Sequence, residues 1–505
     1  MCHILDPLFR QRGPKSIAER ITQGFLAALF FGLPIVMWNG FFAVTEAKAA
    51  YFWITGTAYA LLMLSARRRG TGFARRKLSA PESAFAVFCG VFLLSSLVCP
   101  NPLGAILGET NRYQGMLTVM LYLAMYLCVR RGGGLTALSF SLLVAAYVIC
   151  ALLGILNYFS VDPLGTLSYL SAFDRGRYLS TFGNINFFGS YIVLFLPAFL
   201  FLSCKCGERR IRALFLAVTA LGCAAAMAAR SESVVLGFGA AVLLLPLALF
   251  RTPDALRRMP LALALSLAAM AGMKLLNGLF GGPRFSALTE ALLSPAALAA
   301  ASAVLITLYA ILRRVRDGAF HRIKRLCFFF YAALAALVLL SVVLCNTVLR
   351  DASLPGLARY LRFGEHWGTD RGGIWTFCID TYRDFPLWQK LIGGGPGCIL
   401  RADASYGMFA DAQLDAAHNE YLHYLLTTGA LGLIAYLAVL ILTVWESLRC
   451  DESDISRALL LGAAAYIVQA AVNIAQPATA PLFFAVLAIL HSRAKPAGET
   501  SLSAD

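Results

Sequence analysis

His418, Asn419, Glu420 and His423 stand at the mouth of a long apolar run, DAAHNEYLHYLLTTGALGLIAYLAVL, from Asp415 to Leu440. Polar groups at the edge of such a run cost free energy unless something requires them there. A neutral imidazole can accept a proton from a hydroxyl near neutral pH, so His418 is a candidate general base. His418 and His423 lie five residues apart, about 140° around a helix, and do not share a face. HNEYLH is also not the HExxH pattern of zinc proteases. A second set of residues has complementary chemistry. Arg112 in GETNRYQG, Arg175 and Arg177 in FDRGRYLS, and Arg371 in GTDRGGIW each precede an apolar stretch. Guanidinium groups pair bidentately with phosphate and keep their charge in proteins. These arginines are candidate ligands for an anionic group, with plain interfacial anchoring as the alternative. Asn184 and Asn186, in the FGNIN block after Arg177, carry amides that can meet hydroxyls or phosphate oxygens. Asn186 has a second reading as a helix cap.

The elements that must position these groups follow from composition. Of 505 residues, 59% are hydrophobic and only 14% charged, against roughly 25% charged in soluble domains. Apolar runs of about 20 residues recur along the chain, each long enough to cross a bilayer as a helix. The fold class expected is an all-α polytopic membrane bundle of about 12–14 spans. Fourteen are read at 21–43, 48–65, 82–100, 114–129, 135–159, 187–203, 213–229, 233–250, 260–280, 293–312, 326–345, 419–445, 458–473 and 479–492. The chain divides into N-terminal spans (1–345), one large loop (346–417) and C-terminal spans (418–505), forming one integral domain. A β-barrel would alternate polar and apolar residues, and AVLLLPLALF does not. The excess of 43 Lys and Arg over 27 Asp and Glu is read as the cytoplasmic bias of membrane loops and not as a nucleic-acid surface. The basic runs fall on alternate loops, such as Arg67–Arg69, Lys205–Arg212 and Arg313–Arg325. That places both termini in the cytoplasm and the large loop, with His418, outside. Thirteen cysteines sit mostly inside apolar runs and show no metal spacing.

Within the large loop, Ile374, Trp375, Cys378, Ile379 and Tyr382 recur at helical spacing. The pattern predicts an amphipathic helix over 370–383, lying on the membrane surface and holding Arg371 near its N-terminus. Gly393-Gly394-Gly395-Pro396-Gly397 lacks the Lys-Ser/Thr of a phosphate loop and reads as a tight turn returning the chain to the membrane. Gly429 and Gly432 read as close helix packing. Cys378 and Cys398 could form a disulfide, but Cys378 also fits the buried stripe, which favours the unpaired state.

Arg177 with FGNIN, Arg371 with Trp375, the GGGPG turn and HNEYLHYLLTTGALGLIAYL together resemble the O-antigen ligase and O-antigen polymerase superfamily. Gly108-Glu109-Thr110-Asn111-Arg112 resembles the segment many members carry before their fourth span. The resemblance runs from about residue 100 to 490. It implies a metal-independent, cofactor-free, inverting glycosyltransferase of the bacterial cytoplasmic membrane. The donor is a glycan on undecaprenyl diphosphate; the acceptor is a hydroxyl of a glycan, lipid or protein; membrane lipids surround the chain. Carried over, His418 is the general base or acceptor positioner, and Arg371 and Arg177 hold the diphosphate. Arg112, Arg175, Asn184, Asn186, Asn419 and Trp375 complete the expected substrate contacts. Members often carry Ser-Arg in a middle span; here the stretch reads Arg230-Ser231-Glu232-Ser233, with the arginine displaced.

Three alternatives stand beside this reading. A flippase or solute transporter suits the span count, but it should show midplane charges and an internal repeat. Lys274 is the main such charge, and the halves do not match. A polymerase acting through an outer-loop carboxylate has Asp403, Asp411 and Asp415 as candidates. A non-catalytic scaffold has only generic support.

Overall fold

The computed structural model describes residues 5, 9, 16–70, 77–350, 352, 360–406, 414–450 and 453–493. Each of the fourteen expected spans coincides with a helix. They are α1 (Ile17–Ile35), α2 (Val44–Arg68), α3 (Ala80–Leu97), α4 (Met116–Arg131), α5 (Ala137–Tyr158), α6 (Ile185–Lys205) and α7 (Arg209–Ala229). Next come α8 (Glu232–Leu249), α9 (Pro253–Phe280), α10 (Pro295–Arg314) and α11 (Phe320–Asn346). The loop supplies α12 (Trp367–Asp384), α13 (Leu387–Ile392) and α14 (Cys398–Tyr406). The chain closes with α15 (Glu420–Cys450), α16 (Asp454–Ala470) and α17 (Ala480–Arg493). Among the described residues, ten helices are long and apolar enough to cross a membrane; α1, α4, α16 and α17 fall outside that criterion. The chain is a multi-pass, all-α membrane protein.

Local sequence explains where many helices begin. Ser79 caps α3 reciprocally with Glu82, Thr136 caps α5, Ser294 precedes Pro295 in α10, and Ser453 caps α16. α6 is the hub. It is almost wholly buried, between α7, α8 and α16. Small residues allow the close approach: a Cβ at Gly462 of α16 would lie 2.1 Å from the Leu194 carbonyl of α6. α3, α4, α15 and α17 pack as a second group. α10 and α11 lie at the periphery with little or none of their apolar windows covered.

Two polar devices fix the ends of the bundle. Lys48, fully buried in α2, donates to the carbonyls of Leu33 (2.8 Å), Pro34 (2.9 Å) and Val36 (3.1 Å). It thereby caps the C-terminus of α1, where a cation also meets the negative end of the helix dipole. At the basic end, His491 of α17 lies 2.9 Å from Ser79 Oγ and 2.8 Å from Glu446, tying the last helix to α3 and α15. Lys274, the expected midplane charge, pairs with Glu290 at 2.6 Å and donates to the Leu293 carbonyl.

Gly429 differs from expectation. It breaks α15 (φ 65°, ψ −172°) instead of only packing closely. The carbonyls freed by the break are satisfied by the glycine turn: Gly394 N donates to Leu426 O (2.9 Å) and Gly395 N to Thr427 O (3.0 Å). Backbone at membrane depth is tolerated when protein satisfies it in this way. A Cβ at Gly429 would lie 2.4 Å from the Leu391 carbonyl carbon. Gly429→Ala is therefore expected to cost at least about 2 kcal/mol through strain and clash. The check is the thermal midpoint of detergent-purified protein; an unchanged midpoint would contradict the break.

Candidate functional site

The site lies where the large loop meets the first turn of α15. Asn419 starts that helix: its Oδ1 accepts from Tyr421 N (3.0 Å) and Leu422 N (3.1 Å). The cap turns the chain sharply, and His418 takes a left-handed conformation (φ 48°). Its ring is half-buried and no hydrogen bond holds it among the described residues. Burial first, then the charges of Arg112 and Arg371, push its pKa down to about 4, while Asp415 opposes them. His418 is thus neutral across the physiological range and keeps a basic ring nitrogen.

Arg112 reaches this point from the loop before α4. Its Nε and Nη2 clamp Asp415 bidentately at 2.8 and 2.6 Å. The clamp joins the loop before α4 to the segment that carries His418, and it leaves Asp415 as the partner of a cation. Asp403 accepts from Leu414 N (2.9 Å) inside the loop, and Asp411 lies outside the described residues.

Arg371 comes from α12. Three successive left-handed residues, Gly368, Thr369 and Asp370 (φ 62–64°), kink the chain just before it. Its Nη1 donates to the Gly368 carbonyl, its Nε is buried with no partner among the described residues, and burial lowers its pKa while Glu232 opposes. Trp375, one turn later, also buries its Nε1 with no partner among the described residues, and its ring lies 5.2 Å from that of Trp367. Left-handed non-glycine residues cluster here: Asn111, Tyr113, Arg230, Thr369, Asp370 and His418. Each costs on the order of 1–3 kcal/mol, and such strain concentrates at functional sites.

The surface helix is found at Trp367–Asp384, but its apolar side packs on protein. Phe377 and Cys378 are buried with Cys398, Ile399, Leu414 and Leu426. Cys378 and Cys398 are both free. Arg401 of α14, not anticipated from sequence, donates to Pro396 O (2.8 Å) and Gly394 O (2.7 Å), holding the glycine turn against α15.

The FGNIN block lies in a β-hairpin, Tyr178–Leu179 paired with Gly183–Asn184, leading into α6. Asn184, not Asn186, caps the helix, accepting from Asn186 N at 2.7 Å. Asn186 Oδ1 accepts from Ser231 Oγ at 2.7 Å, and Gln469 donates to Ser233 at 3.0 Å. The displaced arginine also has a place: Arg230 donates to the Gly176 carbonyl, between Arg175 and Arg177. Those two arginines are exposed, with Arg175 Nε on Leu170 O at 3.3 Å. Glu232 of the same stretch accepts from Tyr360 at 2.9 Å and sits in the field of Arg371. The Arg230–Ser233 stretch is therefore the link between the hairpin and the loop. Glu232, Tyr360, Trp367 and Gly368 line an open cavity of about 500 Å³ beside Arg371.

Comparison with curated proteins gives no match. The O-antigen ligase family model matches residues 285–437, a stretch that includes the whole large loop, Arg371, His418 and the break in α15. That match indicates O-antigen ligase-like activity in general and supports membership of this chain in the O-antigen ligase and polymerase superfamily.

Proposed function

We propose that this protein is a membrane glycosyltransferase that moves a glycan from undecaprenyl diphosphate to an acceptor hydroxyl at the outer face of the bacterial cytoplasmic membrane. The observation that carries the reading is a neutral His418 sharing one electrostatic field with Arg112 and Arg371, beside buried nitrogens at Arg371 and Trp375 that have no partner among the described residues. Buried donors of this kind fit a ligand rich in acceptor oxygens, as a diphosphate and a sugar are.

In the proposed step, His418 removes the proton from the acceptor hydroxyl. The acceptor oxygen attacks the anomeric carbon opposite the diphosphate and the carbon–oxygen bond to the leaving group breaks. Undecaprenyl diphosphate departs, and the anomeric centre inverts. Arg371 and Arg177 stabilise the charge growing on the leaving group. Arg112 keeps Asp415 and, through it, the His418 turn in place. Arg175, Asn184, Asn186, Asn419 and Trp375 bind or frame the substrates. Charge alternation along the loops supports an outside location for this end of the bundle.

Mass analysis of lipid-linked and surface glycans in a strain lacking the protein tests the reading. Accumulated lipid-linked glycan is expected: single units for a polymerase, long chains for a ligase. An unchanged glycan profile contradicts it.

The titration of His418 adds a prediction. A base must be neutral to act, and this pKa is lowered from 6.5 to about 4. kcat/KM should stay flat from neutral pH down through 6 and fall only as pH drops towards 4. A fall centred near the ordinary histidine value would mean another base.

A further inference from the structure

At the opposite end of α15 from His418 lies a second cavity, of about 420 Å³, between α8, α11, α15 and α16. Its walls are apolar, with Leu247, Val444 and Leu460 among them. Its rim holds three cations from three separate elements: Arg251 just after α8, Lys324 near the start of α11 and Arg457 in the first turn of α16. Among the described residues, no carboxylate lines it. None of the apolar middle of α11 is buried by protein, which leaves that side of the cavity available to lipid. The cations stand at the helix ends that carry the other basic runs, where an anionic headgroup would sit level with them.

We propose that this cavity binds one anionic phospholipid, its phosphate on Arg251, Lys324 and Arg457 and an acyl chain along α8, α15 and α16. Charge and shape select it together. An apolar pocket in a membrane helix bundle takes hydrocarbon, and a basic rim between helices selects a phosphate headgroup over a zwitterion. A soluble phosphate would gain nothing from the leucine wall. Bound there, the lipid would brace α11, whose apolar middle is otherwise unburied, the helix that leads directly into the large loop.

The test is native mass spectrometry of the delipidated full chain, titrated with phosphatidylglycerol, phosphatidylcholine of the same acyl chains, or glycerol 3-phosphate. One phosphatidylglycerol is expected to be retained in preference to phosphatidylcholine. Each cation contributes about fivefold at an anionic surface, so Lys324→Gln with Arg457→Gln should weaken retention roughly 30-fold. Arg313→Gln with Arg314→Gln, at the end of α10 and outside the cavity, should change it less than twofold. Leu247→Trp, which fills the cavity and leaves every charge, should also abolish retention. The proposal is overturned if phosphatidylcholine binds equally well, if the α10 pair loses as much as the rim pair, if Leu247→Trp retains the lipid, or if glycerol 3-phosphate competes at equal concentration. None of these readouts depends on transferase activity.

Discussion

His418→Asn is expected to abolish transfer while the protein still folds and inserts. Asparagine tolerates the left-handed conformation that His418 adopts (φ 48°) better than most residues, so the turn into α15 survives. It has no basic nitrogen, so the acceptor proton has nowhere to go. Positioned general bases contribute about 10²–10⁴-fold, and the loss should fall in that range. His418→Ala should lose as much activity and also some stability, because alanine is strained at that backbone angle. The decisive comparison is initial transfer rate at matched protein levels, with thermal midpoint as the folding control. Near-normal transfer by a well-folded asparagine variant would remove His418 from the chemistry.

Arg371→Ala is expected to lower kcat by about 10²–10³, the scale seen when one preorganised donor to a developing negative charge is removed. The group is placed at a cost: three left-handed residues precede it, Thr369 and Asp370 among them, and its Nε is buried with no partner among the described residues. Binding of the ground-state donor should weaken less than kcat falls, because charge grows on the diphosphate as the bond breaks. Arg371→Lys should recover only part of the loss, since an ammonium lacks the planar fork that pairs two oxygens. The readout is the split between kcat and KM for the lipid-linked donor. A change confined to KM would make Arg371 a docking residue only.

Much of the bundle was legible because hydrocarbon imposes a simple rule: about 20 apolar residues per crossing. Every expected span coincides with a helix, and the amphipathic stripe from Ile374 to Tyr382 falls within α12. What that stripe packs against was not legible, since spacing fixes a face and not its neighbour. Phe377 and Cys378 meet Ile399, Leu414 and Leu426, which only the folded loop brings to them. Gly429 shows the same limit. One glycine in an apolar run reads as packing, and the break is stable only because Gly394 and Gly395 supply the missing donors. Glu232 was passed over because the sequence pattern drew attention to the displaced Arg230. Its value lies in distance-defined partners, Tyr360 and Arg371. Lys48 carried no signal either: a lysine at a span end reads as an interfacial anchor, yet it is buried and caps α1.

The most direct measurement is transfer by the purified chain in sealed vesicles supplied with an undecaprenyl-diphosphate-linked glycan and an acceptor. The account predicts one new glycosidic bond for each undecaprenyl diphosphate released, with none formed by His418→Asn. Movement of the intact lipid-linked glycan across the bilayer, with no bond made, would contradict it and identify a transporter instead.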